Sequence, residues 1–123
     1  MKRELLQNTK VQPYTSGTAI DRTGFLSAVI GAAIGTAGAL TLTVTHCDTA
    51  TGTFTDVTDE LIFPDKKTSN GAYTTSTLAK GDVVNVDIDL VGLKDFVKIT
   101  ASGAAATDTT LAIALGDSRV QGV

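Results

Sequence analysis

The chain has no tryptophan, and its other aromatic residues are two tyrosines and four phenylalanines. Stacking platforms for bases or sugars are built from such rings, so the composition gives little support to a single-strand nucleic-acid or glycan binder. Positive charge is also scarce: 10 Lys and Arg stand against 13 Asp and Glu, a net charge of −3. Nucleic-acid binding rests on a basic stripe that offsets phosphate charge, so nucleic acid is not an expected partner. One cysteine, Cys47, excludes an internal disulfide framework and suits folding in a reducing cytoplasm. The opening MKRELLQNTK carries charge but no apolar core of signal-peptide length, and no export signal is expected.

Residues 23–45 are uncharged and long enough to raise the question of a membrane span. Thr and Gly recur through them, however, and TLTVT alternates with period two, which no lipid-facing helix does. No membrane partner is expected. The run reads instead as GFLSAVIG (24–31) and ALTLTVTH (39–46), two strands joined through Gly35 and Gly38 as a hairpin.

What the chain does contain is Thr, Ala and Gly, residues of pleated surfaces and turns. Alternation marks three further strands. In DVVNVDIDL (82–90), Val84, Val86, Ile88 and Leu90 face inward, with Asn85, Asp87 and Asp89 outward. In FVKITAS (96–102), Val97, Ile99 and Ala101 oppose Lys98, Thr100 and Ser102. In TTLAIALG (109–116), Leu111, Ile113 and Leu115 oppose Ala112 and Ala114. The small outer face of this last strand predicts packing against another strand or subunit. Asn70-Gly71 is the strongest short turn signal. Pro13 confines its segment to an edge or an extended arm. Short strands at roughly 8–12 residue intervals predict a single all-β domain, an antiparallel β-sandwich or jelly-roll-like barrel. Residues 1–20 are assigned to an N-terminal arm and 21–123 to the sandwich, with a loose tail from 117.

Catalytic equipment is hard to find. His46 and Cys47 resemble a base and nucleophile, but strand neighbours point to opposite faces. They supply too few ligands for zinc. Asp48, Asp56, Asp59 and Glu60 flank the Gly52 loop without the spacing of an EF-hand, and calcium there stays an open alternative. Asp87 and Asp89 share one strand face; paired carboxylates serve glycosidases, but a solvated face that discourages edge pairing is the plainer reading. Lys66-Lys67 is too short for a nucleic-acid patch and reads better as the flank of a turn. No phosphate loop, nucleophile elbow or dinucleotide fingerprint is present. The expectation is a protein without enzyme activity, cofactor or metal.

Three stretches share an order of features: Asp21-Arg22-x-Gly24-Phe25, then an alternating strand leading to His46-x-Asp48, Gly52, Phe54, Asp56 and Val57, and finally Phe96-Val97-Lys98-Ile99 before a small-residue end. This order, over residues 18–116, resembles a family of small head structural proteins of tailed bacteriophages, the capsid decoration or cement proteins. The resemblance implies a virion protein on the capsid surface, assembled in the host cytoplasm. Its implied partners are the major capsid protein and further copies of itself, as a homotrimer of sandwich subunits whose arms grip a neighbour. Leu5, Leu6, Pro13, Tyr14, Asp21 and Arg22 are the expected intersubunit or capsid contacts. Asp21-Arg22 is expected to make a local or intersubunit salt bridge where the arm meets the core. A neck or tail component, or a non-viral β-sandwich binding or adhesion module, are the alternatives.

Overall fold

The computed structural model describes residues 10–57, 62–63 and 71–118. The fold is all-β, two antiparallel sheets packed face to face as a β-sandwich. The first sheet runs β1 (Lys10–Tyr14), β9 (Thr110–Ser118), β3 (Phe25–Ala33), β7 (Val83–Asp89). The second runs β2 (Ala19–Asp21), β8 (Phe96–Ser102), β4 (Thr41–Cys47), β5 (Thr55–Asp56), and β6 (Ala72–Thr74) pairs with β4 as well. β5 meets Thr45 and His46 while β6 meets residues 41–43, so the two short strands line one edge of β4 in succession.

The core follows from period-two alternation. Ala28, Ile30 and Ala32 of β3, Val86 and Ile88 of β7, and Leu111, Ile113 and Leu115 of β9 point into the sandwich from one side. Leu42 and Val44 of β4 and Val97 and Ile99 of β8 meet them from the other. Phe63 and Ile62 are also fully buried, and the Phe63 ring packs against Tyr73 with centroids 5.4 Å apart. The expected inward and outward sets of 82–90, 96–102 and 109–116 are the observed ones.

Two expectations change. The strands 24–31 and 39–46 both exist, but they are not a hairpin. β3 pairs with β7 and β9, β4 with β8, β5 and β6, so the chain between them crosses from one sheet to the other. Ile34 is buried in that crossing and exchanges backbone hydrogen bonds with the 81–82 turn. Gly35 backs onto the Asp108 carbonyl, and Gly38 bridges to Leu78. Side chains would not fit at either glycine, so the Gly-rich spacing serves a close crossing rather than a two-strand turn.

The second change concerns the arm. Residues 10–14 form β1, in register with β9 from Lys10↔Leu115 to Tyr14↔Leu111. Residues 19–21 form β2, paired with β8. Thus 10–20 belongs to the sandwich, one edge strand in each sheet. Residues 1–9 lie outside the described residues. At the other end β9 reaches Ser118, paired with Phe25, so residues 117–118 are strand rather than tail.

Candidate functional surface

Of the expected contact residues, Tyr14 and Arg22 turn inward. Tyr14 is buried on β1, and its hydroxyl reaches the opposite sheet. It donates to the Thr18 carbonyl at 2.6 Å, with the Ile99 carbonyl 3.1 Å away, and accepts from the Ile99 N–H at 3.0 Å. Gly17 N–H also donates to Ile99, and Ser16 Oγ accepts from Ala101 N–H. This bracket carries the chain from the first sheet to the second along β8. Burial raises the Tyr14 pKa above its ordinary value, and the backbone hydrogen bonds at Ile99 and Thr18 oppose that rise.

Arg22 is 6% exposed. One guanidinium nitrogen donates to the carbonyls of Leu90 at 2.6 Å and Leu93 at 2.9 Å. The Arg22 backbone N–H donates to Asp95, and its carbonyl accepts from Phe25. The side chain therefore holds the β7–β8 loop against the β2–β3 corner. Asp21 is exposed, and Oδ1 accepts from the Thr23 N–H at 2.9 Å, an Asx turn that shapes the same corner. Tyr14 and Arg22 are thus buried and fasten the subunit internally. Pro13 and Asp21 are exposed; Leu5 and Leu6 lie outside the described residues.

His46 and Cys47 occupy the end of β4. His46 Nδ1 accepts from Lys94 N–H at 3.3 Å, and Cys47 Sγ lies 3.9 Å from Thr49 Oγ1. Partial burial is the main cause that lowers the His46 pKa; Lys94 lowers it further and Asp48 opposes. Among the described residues, no group of three or more His, Cys, Asp or Glu side chains gathers where a metal could sit. Asp59 and Glu60 of the open calcium alternative lie outside the described residues. Among the described residues, no helix is long and apolar enough to cross a membrane.

The two outer faces of the sandwich differ in character. On the second sheet the outward positions carry hydroxyls: Thr41, Thr43, Thr45, Thr100 and Ser102. Thr41 Oγ1 and Thr74 Oγ1 lie 3.0 Å apart across β4 and β6, and Lys98 Nζ sits 4.2 Å over the Phe54 ring. On the first sheet the outward positions of β1, β9 and β3 are mostly small and apolar, while β7 presents Val83, Asn85, Asp87 and Asp89. Val11, Ala114 and Val29 form one row across β1, β9 and β3; Pro13, Ala112 and Gly31 form the next. Val11 and Val83 on this face are each 70% exposed. A shallow depression lies above Gly31, bounded by Val11, Val29, Asn85, Ala112 and Ala114. Among the described side chains, charge enters the face only at the edge, from Asp87 and Asp89 of β7. Alternation of 109–116 signalled the Ala part of this face; Val11 and Val29 were not legible as part of it, because strand order decides which rows are neighbours.

Comparison with known proteins adds little to this geometry. No family model and no curated protein matches the chain. The crystal structure of the SPBc2 prophage-derived protein YomS aligns over 89% of this chain and 94% of its own, at 13% identity and a TM-score of 0.49. A likeness at that level assigns neither a family nor a function.

Proposed function

We propose that the chain is a non-enzymatic structural protein of a tailed-bacteriophage particle that binds the outside of the capsid as a decoration protein. The reading starts from the ordered motifs of residues 18–116, and their placement supports it. Asp21, Arg22, Gly24 and Phe25 build the corner that joins the two sheets, while Phe96–Ile99 lie on β8, the strand fastened by Tyr14. In this chain these motifs serve the corner and β8, and so hold the sandwich together.

The observation that carries the reading of an assembling structural protein is the apolar outer face of the first sheet, which the described residues leave exposed at Val11 and Val83. A sheet face that meets only water is ordinarily polar on alternate positions, as the second sheet is. A face built of Val, Ala and Gly favours contact with protein. The major capsid protein and further copies of the chain are the partners this reading assigns, with the virion surface as its location and no cofactor required.

Quantitative mass spectrometry of purified particles tests it. A copy number comparable to that of the shell subunit is the expected result. A copy number on the scale of a single ring per particle moves the protein to the neck or tail. Absence from purified particles sinks the virion reading and leaves the binding-module alternative.

A further inference from the structure

We infer that the outer face of the first sheet is a self-association surface, on which a second copy of this chain docks face to face about a two-fold axis parallel to the strands. The inference goes beyond attachment to a shell and does not depend on it.

The occupant is argued from charge and shape. The centre of the face, on β9 and β3, carries no charged side chain among the described residues, so nothing there recognises a nucleic acid, an anionic membrane or a charged peptide. A second copy brings the same neutral face. Two in-plane axes bring two such faces together. An axis across the strands lays β7 antiparallel over β7 and gathers the Asp87 and Asp89 side chains of both copies along one rim. An axis along the strands lays β7 over β1 and separates them, and like-charge avoidance selects this second arrangement.

That arrangement is also complementary in size. Val29 and Ala114 are register partners on adjacent strands, as are Gly31 and Ala112. The two-fold exchanges β9 and β3 at constant height. Val29 of each copy then lies over Ala114 of the other, and Gly31 lies over Ala112. Large meets small twice, which allows the approach of about 10 Å between packed sheets. Val11 comes over Asp87 of the second copy at the rim. Strands about 4.8 Å apart and rising about 3.3 Å per residue give this face roughly 400 Å² in plan. A standard interface buries about 800 Å² per partner. The pairing is therefore low in affinity and favoured where copies are concentrated. It closes at two copies, unlike the three-fold cluster the resemblance implies.

Sedimentation equilibrium of the full chain, free of any shell, from roughly 10 μM to 1 mM spans the affinity such an area supports. The expected result is a monomer–dimer equilibrium. Ala112→Glu is expected to raise the dissociation constant about tenfold or more, by placing an unpaired charge in the contact. Thr100→Glu, an exposed position on the opposite face, is expected to leave it unchanged. Val11 is exposed at an edge, so changes there spare the fold and report the axis: Val11→Asp weakens dimerisation and Val11→Lys, facing Asp87 of the second copy, does not. A monomer throughout, a trimer as the end state, an Ala112→Glu chain that folds and dimerises like the parent, or equal weakening by both Val11 variants each overturns the inference. The Val11 pair decides it if Ala112→Glu fails to fold.

Discussion

Two side chains that look like surface chemistry turn out to fasten the sandwich from within. Tyr14 was legible as an aromatic next to a proline, but nothing local reveals that its hydroxyl would end on Ile99, 85 positions away. Arg22 was legible as half of a charged pair, yet its partners include two carbonyls of a loop near residue 90. Such roles depend on strand order, which short-range sequence does not encode. The Tyr14 bracket gives a sharp expectation. Tyr14→Phe keeps the ring in the core but leaves the buried Ile99 N–H without its acceptor, at a cost of about 1–3 kcal/mol in chemical denaturation near neutral pH. The variant also separates the hydroxyl's ionisation from every other alkaline group. Because burial raises the folded pKa above the unfolded one, the neutral hydroxyl is the form the fold accommodates. Its stabilisation is complete below the unfolded value of about 10 and is lost as pH rises through the folded pKa. The difference between parent and Tyr14→Phe should narrow above about pH 10; a constant gap from neutral to alkaline pH would contradict the burial argument.

At the scale of elements, alternation located β4, β7, β8 and β9 and oriented each correctly, because half-buried strands must sort apolar from polar residues with period two. Alternation does not say which strands pair. The sequence around Gly35 and Gly38 looks like a hairpin because consecutive strands often neighbour each other, whereas here the buried Ile34 draws the chain across the end of the sandwich. The same limit hid β1 and β2 inside a presumed arm. Their pairing has a testable consequence: deletion of residues 1–16 removes the edge strand and the buried Tyr14. Loss of a large core aromatic alone costs about 3–5 kcal/mol, so this deletion is expected to abolish cooperative thermal unfolding or lower its midpoint steeply. A midpoint within a few degrees of the parent would show that β1 contributes little.

Gly71 makes a second point about elements. Asn70-Gly71 is the strongest turn signal in the sequence, and Asn70 lies outside the described residues. Gly71 itself has φ +67°, and its carbonyl accepts from Val44 N–H at the start of the β6–β4 pairing. A Cβ there would stand 2.8 Å from the Val44 carbonyl oxygen and 2.9 Å from that of Val57. Backbone strain and a backbone clash act together, so Gly71→Ala is expected to destabilise by about 1–3 kcal/mol. A stability equal to the parent in urea titration would mean that β6 and the Val57 segment move aside freely.

The whole molecule poses a question of allocation. A single apolar face cannot pair two copies and grip a shell at the same time. If the first sheet's outer face is taken by a second copy, shell contact falls to other surfaces, and Leu5 and Leu6, ahead of β1, are the expected apolar contacts left for it. Separate variants then divide the two functions. A chain lacking residues 1–9 keeps β1 and the paired face, and is expected to dimerise normally while losing affinity for shells stripped of the protein. Ala112→Glu keeps residues 1–9 and is expected to bind those shells as a monomer. Two linked copies engage a repeating surface with the second contact made intramolecular, so the parent should hold on more tightly than this monomer by about 10²-fold at concentrations where it is paired. Co-sedimentation with stripped shells across a concentration series measures both effects. If Ala112→Glu abolishes attachment at every concentration while the 1–9 deletion leaves it intact, the apolar face itself meets the shell, and the copies reach each other through something else.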